Sequence, residues 1–110
     1  MKLPNGDRAV VPIEKLRDYS LDPHHAEGKH KARVFASALG LGQDDAEWLR
    51  DQLLAAAPDQ PCELGRRTPH GQRYVMDLTI KHRGKSAIVR SVWNVRSEQD
   101  SPRLVTCHVL

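Results

Sequence analysis

The chain has 110 residues, of which 17 are Lys or Arg and 14 are Asp or Glu, for a formal charge of +3. That length suits one domain with one modest core, and 39% apolar residues with few aromatics leave no material for a second. Bulk charge this mild excludes any argument for nucleic acid from charge alone; no run is apolar enough to span a membrane, and the N-terminus MKLPNGDRAVV lacks the apolar centre of a secretory signal.

In chain order, residues 3–7 (LPNGD) read as a turn, because Asn-Gly favours positive φ. Residues 9–11 suit a short extended segment. Pro12 fits the first position of a helix over 12–20, with Ile13, Leu16 and Tyr19 spaced as one face. Pro23 then forces a loop. A second helix is expected over 27–39, with Ala32, Phe35, Ala36 and Leu39 as its apolar stripe and Gly40 as its stop. Lys29, His30, Lys31 and Arg33 crowd the start of that helix, against the sign its dipole prefers. A third helix is expected over 43–57, with acids at its start and Leu49 and Leu53 turned inward.

Strands follow at 62–68, 72–80, 87–96 and 103–109, with turns at 69–71, 82–84 and 99–102. The segment 87–96, AIVRSVWNVR, alternates in the way a half-buried strand requires. Ala87, Val89, Ser91, Trp93 and Val95 share one face, while Arg90 and Arg96 lie on the other. In the last strand Val105, Cys107 and Val109 are expected to face the core, and Leu104, Thr106 and His108 to face away. The expected fold is α+β: one domain over 1–110, with three N-terminal helices (about 1–58) packed on one face of a C-terminal antiparallel meander of four strands (about 61–110).

From Arg66 onward there are nine Lys/Arg residues and three histidines against three acids, so the basic character belongs to the strands. With Trp93 inward, Arg90 and Arg96 share the open face with Thr106 and His108. Guanidinium forks for phosphate, a hydroxyl donor and an imidazole titrating near neutrality are the parts that metal-free RNA cleavage needs. A second acid–base group is required, and His30 is the best-placed histidine; Lys31 alternatively holds the phosphate. Arg73, Arg96, His82 and Arg83 are substrate-binding candidates, with His70 in a turn beside them. The plainer roles stand alongside: a solvated face for the arginines, an exposed terminal His108, ordinary strand propensity for Thr106 and a core position for Trp93.

No metal and no cofactor are expected. His24, His25 and His30 have no supporting Cys, Asp or Glu spacing, and there is no Gly-rich phosphate loop or paired carboxylate. Cys62 and Cys107 are far apart; free thiols in a reducing cytoplasm are the simpler expectation, and a bridge between them the alternative. Met1 followed by a whole domain favours a free-standing product.

The segments LPNGDRAVVPIEKLRDYSLDP, GKHKARVFASALGL, GQRYVMDLTI and VRSVWNVRSEQDSPRLVTCHVL resemble the bacterial family called domain of unknown function 6883, over almost the whole chain. The family has no established activity. Its relatives look like toxin–antitoxin or polymorphic-toxin modules, sometimes beside a short partner protein. Helices followed by a meander ending in a Thr/His strand also resemble the barnase, EndoU, colicin and RelE class of RNase toxins. That second resemblance implies roles for His30 or Lys31, Arg90, Thr106 and His108. Three readings follow: a metal-independent endoribonuclease toxin acting on RNA and held by a cognate antitoxin or immunity protein; a non-catalytic module binding RNA or protein; or the antitoxin or immunity partner itself.

Overall fold

Alternation in the strand-rich half builds the frame on which everything else is hung. A computed structural model describes residues 1–98 and 100–110; Gln99, at the start of the expected 99–102 turn, lies outside the described residues. Four strands form one antiparallel sheet in sequence order: β1 (Glu63–Thr68), β2 (Gly71–His82), β3 (Lys85–Val95) and β4 (Arg103–Val109). β2 and β3 run beyond the lengths expected from alternation because their turn is only Arg83–Gly84. Both turn residues have positive φ, 49° and 81°, which matches a two-residue hairpin to strand twist.

The helical half differs from expectation. Among the described residues two longer α-helices are present, α1 (Lys29–Leu39) and α2 (Ala46–Ala56), rather than three. The expected first helix is present in shortened form: residues 14–15 are α-helical and continue into a π-helix at Leu16–Ser20, with Leu21 N–H donating to the Leu16 carbonyl at 2.8 Å. Pro23 disfavours helical backbone at Asp22 and so limits its length. Residues Gln43–Asp45 form a 3-10 turn leading into α2, and Gly6–Arg8 form another near the N-terminus. Gly40 closes α1 in the left-handed conformation, φ 67°, as a C-terminal glycine does.

Ala32, Phe35 and Leu39 of α1 and Ala46, Leu49 and Leu53 of α2 join one core with Met76, Leu78, Ile80, Val89 and Trp93. All of these sheet residues lie on one face, and among the described residues no helix covers the other. Cys62 and Cys107 are both buried free thiols. Burial pushes the Cys107 thiol up to about 12, so it is a core residue and not a nucleophile.

One strand departs from alternation. β4 carries a bulge: Val92 pairs with Thr106 but Trp93 pairs with Leu104, which leaves Val105 as the extra residue. Leu104 is therefore buried, contrary to expectation, while Val105 is only half-buried. Thr106 and His108 pair with Val92 and Arg90 and remain on the open face.

The core contains a short polar chain. Trp93 Nε1–H donates to Ser91 Oγ at 3.0 Å, and Ser91 Oγ–H donates to the Met76 carbonyl at 2.9 Å, with both side chains fully buried. Ser91→Ala leaves the indole N–H buried without an acceptor. It should lower unfolding stability by about 1–3 kcal/mol, read as a lower urea midpoint at unchanged slope. A midpoint equal to that of the native chain would show that the indole finds another acceptor.

Candidate functional site

The β2–β3 register sets the first part of the site. Asp77 lies opposite Arg90 on the open face. Arg90 donates from Nε and Nη2 to the two Asp77 oxygens at 2.8 and 2.9 Å, a two-pronged pairing of fork with carboxylate. This hydrogen-bonded guanidinium holds the Asp77 carboxyl below its ordinary range. A cleft of about 410 Å³ opens beside the pair, bounded by Glu63, Val75 and the Met1 end of the chain.

β4 supplies the second part. His108 lies directly across from Arg90, and Thr106 across from Val92. The His108 Nδ1 atom is buried and has no hydrogen-bond partner among the described residues. Burial, and then the charges of Lys31 and Arg90, lower the His108 pKa, and Asp77 offsets part of that effect. The imidazole is therefore neutral at neutral pH and able to accept a proton.

α1 supplies the third part. Lys31 reaches from the helix around the sheet edge, and its ammonium donates to Thr106 Oγ1 at 2.9 Å. It also sits 5.0 Å above the centre of the Tyr19 ring. Tyr19 belongs to the π-helix, and Gly28, just before α1, packs so closely on the Tyr19 carbonyl that any Cβ would collide with it. That approach is open only to glycine, and it sets where α1 starts and hence where Lys31 points.

Among the residues singled out from sequence, the structure thus brings Lys31, Arg90, Thr106 and His108 together. The others lie elsewhere. His30 is exposed on α1 and makes no hydrogen bond among the described residues. Arg73 is on the open face, paired across the strands with Asn94, four residues along β2 from Asp77. Arg96 follows the end of β3. His82 is turned toward the helices: its Nδ1 lies 2.7 Å from the Leu39 carbonyl, so Nδ1 carries the proton and donates, and the ring packs 4.6 Å from Trp48. Arg83 is exposed at the hairpin tip, roughly 20 Å along the sheet from Arg90 at ~3.3 Å per residue. His70 sits in the β1–β2 turn, where its carbonyl accepts from Asn94. His25 Nδ1 accepts the backbone N–H groups of Glu27 and Gly28, which makes it a turn-former. No group of three or more His, Cys, Asp or Glu side chains gathers as a ligand set among the described residues.

Two members of the neighbourhood were not singled out from sequence, Asp77 and Tyr19. Asp77 was legible in principle, because a two-residue turn at Arg83–Gly84 dictates that it faces Arg90. Nothing in the local pattern points from Tyr19 to Lys31.

A helix-backed four-stranded meander with a polar cluster at its last strand defines an α+β class. The family model described as domain of unknown function (DUF6883) matches residues 2–110. The chain belongs to that family. No curated protein matches it. In fold it is similar to a chain of the contact-dependent growth inhibition toxin–immunity protein complex from Klebsiella pneumoniae 342. The TM-score is 0.69 at 15% identity, over 94% of this chain and 95% of that one. No helix among the described residues is long and apolar enough to cross a membrane.

The charges around His108 predict two opposite shifts. Lys31→Met removes a cation and should raise the His108 pKa, whereas Asp77→Asn removes an anion and should lower it. The imidazole proton resonances followed through a pH titration check both signs. Shifts in the same direction, or none, would show that His108 does not sense these groups.

Proposed function

We propose that this chain is a metal-independent endoribonuclease, the toxin component of a bacterial toxin–antitoxin or polymorphic-toxin pair. One observation carries the reading: Lys31, Arg90, Thr106 and His108, from three separate elements, meet at an open sheet face with a neutral imidazole among cations. Neutral His108 takes the proton of a ribose 2′-OH. The 2′ oxygen bonds to phosphorus, the bond from phosphorus to the 5′ oxygen breaks, and a 2′,3′-cyclic phosphate is left. The Lys31 ammonium and the Arg90 guanidinium offset the charge that builds on the phosphate oxygens. Lys31 also lies near enough to the chemistry to give a proton to the departing oxygen. Thr106 holds Lys31 through its hydroxyl, and Asp77 holds Arg90 in plane. His30 is the alternative proton donor, reached by a turn of its exposed side chain. Arg73 and Arg96 are outlying substrate contacts in this reading, whereas His82, engaged by the Leu39 carbonyl and Trp48, and Arg83, far off at the hairpin tip, take no part in it. The cytoplasm, where RNA is met, is the proposed place of action.

A second reading rests on the fold neighbour. That complex holds a toxin and an immunity protein, and likeness of fold at this identity does not choose between roles. As an immunity protein or antitoxin, or as a non-catalytic module, the chain would use the same face to bind a partner or RNA without turnover.

Purified protein incubated with total RNA in chelator should yield fragments ending in 2′,3′-cyclic phosphate. The acid limb of the rate should lie below the ordinary imidazole value, because His108 must be neutral and its pKa is lowered. His108→Ala should cut the rate by ~100-fold or more with the fold unchanged by circular dichroism. Intact RNA at every pH from about 5 to 9, together with rescue of cells from a neighbouring gene's toxicity, would favour the immunity role.

A further inference from the structure

The polar cluster continues past the sheet edge. Two clefts lie beside β4. One, of about 520 Å³, runs between the π-helix and β4 and is lined by Lys15, Tyr19, Lys31, Arg103 and Thr106. The other, of about 200 Å³, is lined by Lys15, Asn94, Arg96 and Arg103. Lys15, Arg103 and Val105 border both, so the two join into one groove. Lys31, Lys15, Arg103 and Arg96 line it in turn. None of the four is in an ion pair among the described residues. Glu14, the one acid on its walls, bonds to none of them.

Backbone bonds tie the N-terminal segment to the start of β4 beside the groove. Val10 N–H donates to the Pro102 carbonyl at 2.8 Å, and Leu104 N–H donates to the Val10 carbonyl at 3.0 Å. The β4 bulge turns Val105 to the rim. By contrast, the cleft between α1 and the turn before α2 has a similar volume but carries Lys29 and Arg33 against Asp44 and Asp45. In the β4 groove four cations face a single acid, Glu14, whereas in that cleft the two signs are balanced.

We infer that this groove carries the phosphodiester backbone of single-stranded RNA into the site at His108. The inference rests on the ribonuclease reading and specifies its substrate. Lys31 belongs to both regions: its ammonium bonds Thr106 at the site and lines the groove beyond. Unpaired cations in a row along a narrow channel match a phosphate chain, and ammonium and guanidinium groups bind phosphate without reading bases. Cations in single file along a cleft follow one backbone, the arrangement that single-strand channels use. Arg96, distant from His108, gains a role as the far end of the path.

The test uses a fluorescent 2′-O-methyl oligoribonucleotide of about a dozen residues, which has no free 2′-OH to cleave, as single strand and as duplex. Lys15→Ala, Arg96→Ala and Arg103→Ala combined should weaken single-strand binding roughly tenfold or more. They should also flatten the slope of log affinity on log salt by about 2, near 0.7 for each lost phosphate contact. Duplex binding should change little, and Arg33→Ala should bind as the native chain does. Cleavage of unmodified RNA by the triple variant should show the loss in KM with kcat kept. Native-like single-strand affinity in the triple variant would overturn the groove and leave these cations to an acidic partner protein. If RNA is still cleaved in that case, the site reading stands without the groove. Equal losses for single strand and duplex would overturn the single-strand assignment. RNA neither bound nor cleaved by the native chain would overturn both.

Discussion

The two-residue turn at Arg83–Gly84 is the constraint on which the open face depends. With both residues at positive φ, it locks eleven successive cross-strand pairs from Gln72↔Val95 to His82↔Lys85. Side chains alternate with period two, so a slip of one residue would put Trp93 in solvent and Arg90 in the core. The core side resists such a slip through Trp93, Met76 and the Ser91 hydroxyl between them. The same register sets Asp77 against Arg90. Packing on one face and charge pairing on the other are therefore consequences of one turn.

The edge strand makes the site asymmetric. β4 is the last strand, and its outer backbone groups need partners. Val10 takes the first stretch, and Ser20 Oγ reaches the Cys107 carbonyl further on. The bulge at Val105 bends the strand between these points. α1 runs along this edge closely enough for a lysine on the helix side of the sheet to bond a threonine on the other side. A long apolar stem with a charged tip is suited to that reach. The crowding of cations at the start of α1, unfavourable to its dipole, is explained in part because Lys31 spends its charge on Thr106 and Tyr19 rather than on the helix end.

Much of this was legible before any coordinates. Alternation in residues 87–96 separated the core face of β3 from its open face, and Gly40 marked the end of α1. The helix expected over 12–20 is present over 14–20, but inner spacing at Ile13 and Leu16 could not show that most of it is wound as a π-helix. The fate of Leu104 was not legible, because a bulge adds one residue without altering the apolar pattern around it. Lys31 was noticed for its charge, but its contact with Thr106 spans 75 residues of chain and depends on how a helix seats on an edge. His82 shows the reverse error. A histidine in a turn looks available, yet its ring serves the Leu39 carbonyl and Trp48.

The two cations nearest His108 are not equivalent. Arg90 is engaged at two nitrogens by Asp77, while Lys31 has no carboxylate partner among the described residues. The Arg90 and Asp77 side chains are 41% and 38% exposed, so their pairing adds little to stability. Its stronger effect is directional. Fixing the guanidinium plane leaves its remaining N–H donors pointing one way, and neutralising its charge weakens the attraction of the sheet centre for an anion. The uncompensated charge then lies at Lys31 and outward along β4. A polyanion is drawn first to the edge and only then meets the imidazole, whose neutrality those same cations help to maintain.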